Sequence, residues 1–202
     1  MAPKPNQKPK KMNGPIKAIP TRYNGFNYRS RTEARWAVFM TRAAIPFIHE
    51  PEGYDLGEDG FYLPDFYLPE SDQFLEIKPD VTLPGRQSPV EALAAVTGKY
   101  VVTFCGSPTP NWVDYAIFDS RARGNGFLAT PEGGWDDGYV FCECPHCHMV
   151  GLEFHGRADR LLCQCPKSSH GDKGYNWDTP RLERAYAYAA SFSFWTPPSP
   201  SQ

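Results

Sequence analysis

Between residues 32 and 45 the apolar positions Ala34, Ala37, Val38, Met40 and Ala44 recur at mostly three- and four-residue intervals, the spacing of one helix face. Ser30 precedes this stretch with Glu33 three residues on, the form of a capping box, and Pro46 closes it. The period then changes. Phe47, Ile48 and His49 make a short strand-like run, residues 54–56 a second, and residues 61–68 and 73–78 two more. The last two are joined by Pro69, Glu70, Ser71 and Asp72, all turn formers. Residues 84–89 read as loop, 90–97 as a helix ended by Gly98, and 100–104 as a β-branched apolar strand, a pattern that predicts burial on both faces. Helix, strands, helix and strand in that order predict an α/β fold with helices covering a mixed sheet.

Beyond that point the chain turns glycine-rich around residues 124–134, which puts the expected domain boundary near 125. Residues 139–165 hold two expected short strands and most of the cysteines. Thr179 and Pro180 open a last helix over 181–192, with Leu182, Ala185, Tyr186 and Ala189 on one stripe. The expected organisation is a basic, disordered tail over 1–20, a core over 21–125, a cysteine-bearing module with the C-terminal helix over 126–195, and a flexible Pro/Ser tail over 196–202.

Composition narrows this further. A chain of 202 residues with 41% hydrophobic content supports one good core and a small appendage. No apolar run approaches the roughly 18–20 residues of a membrane span, and the N-terminus has no apolar stretch of the secretory kind. A cytoplasmic location is the expectation. Net charge is only -2, yet the first 32 residues carry eight basic residues (Lys4, Lys8, Lys10, Lys11, Lys17, Arg22, Arg29, Arg31) and no acidic one. Such an arm can track a phosphate backbone.

The central chemical pattern is Pro64-Asp65, ten intervening residues, then Glu76-Ile77-Lys78. On a strand Glu76 and Lys78 share a face while Leu75 and Ile77 take the other. A carboxylate and an ammonium beside a second carboxylate are costly to desolvate unless a hard cation and a phosphate join them. Phosphodiester hydrolysis uses that set: Asp65 and Glu76 to hold Mg²⁺ or Mn²⁺, Lys78 to position water, and Glu33 to assist from the helix. Each residue also has a plainer reading. Glu33 suits the cap alone, Asp65 a turn, and Glu76 with Lys78 a solvated ion pair. Glu50, Glu52 and Asp80 read as surface carboxylates and His49 as a packed residue. Arg29 and Arg31 are placed to meet phosphates. Tyr28, with Tyr23 and Phe26, is spaced as a stacking platform for bases, although core packing is the slightly favoured reading of these aromatics.

With Glu33, Pro64-Asp65 and Glu76-Ile77-Lys78 in place, the segment resembles the PD-(D/E)XK, or restriction-endonuclease-like, nuclease superfamily. The stretches 29–36, 49–52 and 62–69 look like its small phage-type members, and the resemblance covers residues 23 to about 108. It implies an αβββαβ core, catalytic roles for Glu33, Asp65, Glu76 and Lys78, and a phage or bacterial source.

Five of the six cysteines lie between Cys142 and Cys165. Cys144-Pro145-His146-Cys147 is a metal knuckle, and Cys163 with Cys165 forms a second pair in a ribbon-like layout. The expected ligands are Cys144, Cys147, Cys163 and Cys165, holding structural Zn²⁺. Cys142 or His170 can each replace a member of the second pair, and an iron–sulfur cluster is the alternative cofactor. His146, His148 and His155 rank lower, and Cys105 reads as structural.

The resulting expectation is a metal-dependent DNA endonuclease or exonuclease, with RNA not distinguished and a homodimer suited to paired cuts. The alternatives are a zinc-stabilised nucleic-acid-binding module on the same fold, without catalysis, and a phage–host interaction protein.

Overall fold

The computed structural model describes residues 18–78, 88–109, 126–133, 135–171 and 174–194. The lysines up to Lys17, Asp80 and the C-terminal tail lie outside them. Along the chain come β1 (Thr21–Tyr23), β2 (Phe26–Tyr28), α1 (Arg31–Arg42), β3 (Ile48–His49), β4 (Tyr54–Asp55), β5 (Phe61–Tyr62), β6 (Phe66–Leu68), β7 (Gln73–Lys78), α2 (Ser88–Thr97), β8 (Tyr100–Cys105), β9 (Gly126–Ala129), β10 (Trp135–Glu143), β11 (Val150–Phe154) and α3 (Pro180–Ser191).

Seven strands form one mixed sheet in the order β11-β10-β9-β8-β7-β6-β3. All neighbours are antiparallel except β7 and β8, which run parallel across the α2 connection. Strand alternation then sorts the core. Leu75, Ile77, Val102, Phe104, Phe141 and Leu152 pack against Trp36, Phe39 and Met40 of α1 and the stripe Leu182, Ala185, Tyr186 and Ala189 of α3. Phe39 stacks on Tyr186 with ring centroids 4.2 Å apart. The opposite face offers Phe74 and Val101 to Val90, Leu93 and Ala94 of α2. The sheet therefore lies between two helical layers, and the described residues form an α/β fold with a mixed sheet and three α-helices.

Three local expectations change. Residues 21–28, not assigned to strands above, form a hairpin. Asn24 and Gly25 sit at φ of 47° and 87°, the left-handed pair that a tight two-residue turn requires. The single strand expected over 61–68 divides at Leu63-Pro64-Asp65: β5 pairs with β4 in a separate ribbon, while β6 joins the main sheet. Pro64 has no amide to give a ladder, so the break falls there. Finally, β9 lies inside the glycine-rich stretch read as a boundary. Its pairing to Val101–Phe104 of β8 carries the sheet on into β10 and β11. The cysteine-bearing half is thus not separate at the level of the sheet. Only the loops after β10 and β11 stand apart, around a small cluster of Cys142, Cys144, Ala158 and Leu161.

Candidate active site and cysteine cluster

Asp65 and Glu76 are brought together by the β6–β7 ladder. Leu75 pairs with Phe66, so Glu76 faces the residue just before β6. The two carboxylates are clasped reciprocally. Asp65 N–H donates to Glu76 Oε1 at 3.1 Å, and Ile77 N–H donates to Asp65 Oδ2 at 2.8 Å. Glu76 is 1% and Asp65 4% exposed, so both acids sit where water hardly reaches. Lys78, two residues along the same face, places Nζ 3.3 Å from Glu76 Oε2.

Burial, with the negative charge of Glu76 next, pushes the Asp65 carboxyl up to about 8, against the opposing pull of the Ile77 amide and Arg29. The cationic neighbour is close. Arg29 donates from Nη2 to Asp65 Oδ1 at 2.5 Å and from Nε to Glu50 Oε1 at 3.1 Å. Its own backbone N–H donates to Glu33 Oε2 at 3.0 Å.

Glu33 works mainly as a cap. Its Oε1 accepts from Ser30 Oγ at 2.8 Å, and its N–H donates back to Ser30 Oγ at 3.1 Å, a variant of the capping box in which the carboxylate meets the Ser30 hydroxyl and the Arg29 amide. Its charge still raises Asp65, so it belongs to the electrostatics of the pair.

Two residues enter the site that sequence reasoning left out. Tyr62 sets its hydroxyl 3.5 Å from Lys78 Nζ. Burial first and Glu76 second hold its proton on well above the usual tyrosine range, so it is a donor at neutral pH. Glu50, read as a surface acid, anchors Arg29. The register shows why: His49 pairs with Phe66, and Glu50 N–H then donates to Asp65 O at 3.0 Å. His49 is packed as expected, between Tyr28 and Phe66.

Tyr28 requires a correction. It is 1% exposed and packs on His49 and Phe66, so no base can stack on it. The exposed aromatic of that hairpin is Phe26, at 52%. Arg29 keeps half of its side chain in solvent beside the carboxylates. Arg31 is partly covered, and its Nε has no hydrogen-bond partner among the described residues.

The Sγ atoms of Cys144, Cys147, Cys163 and Cys165 lie within 4.8 Å of one another, a group that can hold a metal ion such as zinc. All six cysteines are free thiols. Burial pushes the Cys144 thiol up, but the amides of Cys147 and His146 and neighbouring thiols outweigh it and bring it to about 6. A thiolate is therefore ready at neutral pH. Cys142 is instead buried in the apolar cluster, where desolvation raises its thiol, and it is not one of the four grouped sulfurs. Cys105 ends β8 and is buried.

The cluster is tied to the helices through Glu143 and Arg181. Glu143 accepts from Thr179 Oγ1 at 2.6 Å and from His148 Nδ1 at 2.8 Å. Arg181 donates to the carbonyls of Ala43, Ala44 and His148 at 2.6, 3.0 and 2.6 Å, joining the end of α1 to the knuckle.

Among the described residues no helix is long and apolar enough to cross a membrane. Neither a family model, nor a curated protein, nor a solved structure matches this chain.

Proposed function

We propose that the protein is a metal-dependent DNA nuclease of the PD-(D/E)XK kind. The observation that carries the reading is the joining of Asp65, Glu76 and Lys78 at one end of β7, with both carboxylates buried and held by backbone amides. Two acids buried side by side, where burial and the charge of Glu76 raise the proton affinity of Asp65, are costly to a fold unless a cation or a proton answers them. They offer the oxygen donors that Mg²⁺ or Mn²⁺ takes. When bound there, such an ion would polarise a phosphate and acidify a water molecule.

The chain's own side chains do the rest. Glu76 and Asp65 present their free lone pairs from rigid β-structure, so the donor geometry is fixed before substrate arrives. Lys78, within reach of Glu76 and of the Tyr62 hydroxyl, orients water or stabilises charge developing at phosphorus. Arg29, half exposed beside Asp65, is placed to exchange a carboxylate for a phosphate oxygen of the substrate. A zinc ion in the cysteine cluster would have a structural role, since a set of protein ligands closes the coordination sphere.

The test uses labelled duplex, single-stranded and branched DNA with Mg²⁺ or Mn²⁺. Wild type should cut, and Glu76→Gln and Lys78→Ala should each lose activity by about 10²-fold or more while keeping fold and zinc. Binding without any cutting, with steep salt dependence, would point instead to a non-catalytic nucleic-acid-binding module. Cutting that persists in both variants would remove this site from consideration.

A further inference from the structure

The β1–β2 hairpin lies beside the carboxylate pair and offers two different faces. Arg22 pairs with Asn27 across it, and the next residue of that parity along the chain is Arg29. All three are exposed, and Arg29 is the one that reaches Asp65. A row of hydrogen-bond donors thus runs along the outer face and ends at the carboxylates. No acid interrupts it, since the first acidic residue of the whole chain is Glu33.

The other face treats its two aromatic residues unequally. Tyr23 is braced edge-on by Phe192 and Phe194, which follow α3, with ring centroids 5.4 and 6.4 Å away. Its cross-strand partner Phe26 meets the His49 ring edge-on at 6.0 Å and still leaves 52% of its surface in solvent. Beside Phe26 lies a groove of about 630 Å³ whose apolar walls include Ile45, Pro46 and Phe47, with polar points at Asn24 and Thr41. No carboxylate lines it among the described residues. An aromatic face, apolar walls and a few polar groups free of negative charge suit a planar ring joined to an anion, as a base is joined to its phosphate.

The strands set how far this groove stands from the chemistry. His49 lines the groove, and Glu50 after it holds both Arg29 and the Asp65 carbonyl. Phe26 precedes Arg29 by three residues, at most roughly 10 Å of extended chain. That is about three nucleotides of stacked strand at ~3.4 Å each. In a duplex the ring faces of the bases are covered by their neighbours, so Phe26 can stack only on a base taken out of the helix.

We propose that Phe26 and the groove beside it hold an unpaired base of the substrate, with Arg22, Asn27 and Arg29 leading its phosphates to the carboxylates. The substrate class is then DNA with an unpaired stretch next to the scissile phosphate. The proposal rests on the nuclease reading of Asp65, Glu76 and Lys78 and adds the form of the DNA to it.

The test measures binding by the full chain without added Mg²⁺ or Mn²⁺, so that no cutting enters. The probes are a single-stranded oligonucleotide carrying 2-aminopurine and the matching duplex. Phe26→Ala should weaken single-strand binding about five- to hundredfold, the worth of one base stack, and duplex binding less than twofold. The 2-aminopurine fluorescence should be quenched by wild type and by Phe26→Trp but not by Phe26→Ala, whose thermal midpoint should match wild type. Equal losses on both DNAs, or no loss on either, overturn the proposal. So does a wild-type dimer that Phe26→Ala turns into a monomer, because the groove is then an interface between copies. The two readings fail separately. Cutting that Glu76→Gln abolishes, with single-strand binding indifferent to Phe26→Ala, sinks the base site alone. Unpaired DNA bound through Phe26 but never cut sinks the nuclease reading and leaves the base site standing.

Discussion

Glu76 and Cys144 each hold a ligand atom where solvent hardly reaches, but the structure holds them in different ways. Glu76 stands on β7 and Asp65 just before the paired β6, and their carboxylates accept from the backbone amides of Asp65 and Ile77 respectively. The cysteines stand on loops beyond the ends of β10 and β11, with only a four-residue buried apolar cluster beneath them. The first site is set on the main sheet; the second is held by hydrogen bonds within the knuckle and by Glu143 and Arg181. On the proposed reading a metal would serve chemistry in one region and architecture in the other.

The sharpest way to break that contrast is to empty the cysteine cluster. Cys144→Ser, or a strong chelator, should lower the thermal midpoint by roughly 10 °C or more, because zinc binding energy is folding energy where no core replaces it. A midpoint that does not move would show that the loops are ordered by their own contacts.

The carboxylate site should respond in the other direction. Asp65 in the fold holds its proton up to about 8, while an unfolded aspartate releases it near 3.9. Between those values the folded state binds the extra proton, so stability falls as pH rises across that window. Without added Mg²⁺, Asp65→Asn should therefore be more stable than wild type at pH 8, on the order of a few kcal/mol, and the two should converge near pH 4. Urea unfolding at both pH values measures this. Equal stability at pH 8 would mean that Arg29 fully compensates the ionised acid.

A smaller effect concerns Arg29. Arg29→Gln removes a cation that competes for Asp65, so Mn²⁺ affinity should tighten about fivefold while DNA binding weakens, both read by calorimetric titration. Weaker Mn²⁺ binding would instead make Arg29 a support of the ligand geometry. Arg181→Met leaves carbonyls of Ala43, Ala44 and His148 without their donor and should cost about 1–3 kcal/mol with metal retained.

The two regions were also unequally legible in the sequence. α1, α2, β7, β8 and α3 follow from apolar period with Pro and Gly punctuation, and the meeting of Asp65, Glu76 and Lys78 follows from strand alternation. The surroundings of that site do not, because they depend on register. Glu50 reaches Arg29 only because β3 pairs with β6 as it does, and Tyr62 reaches Lys78 only because the chain breaks at Pro64. Tyr28 looked like its exposed neighbour Phe26, since alternation puts both on one face of β2 and only the packing on His49 and Phe66 buries Tyr28. The cysteines were legible from spacing alone, which is local. The β9 strand escaped because its apolar residues are few and its glycine neighbours mask them.

The position of β9 bears on how this chain can be divided. A fragment stopped at residue 125 would leave β8 as a bare margin, with Val101–Phe104 deprived of the pairing β9 supplies. An apolar strand with free amides and carbonyls invites pairing with other chains. Such a fragment should self-associate, visible as light scattering at concentrations where the intact chain stays clear. The cysteine-bearing half is thus also the cover that keeps the sheet from growing by one molecule at a time.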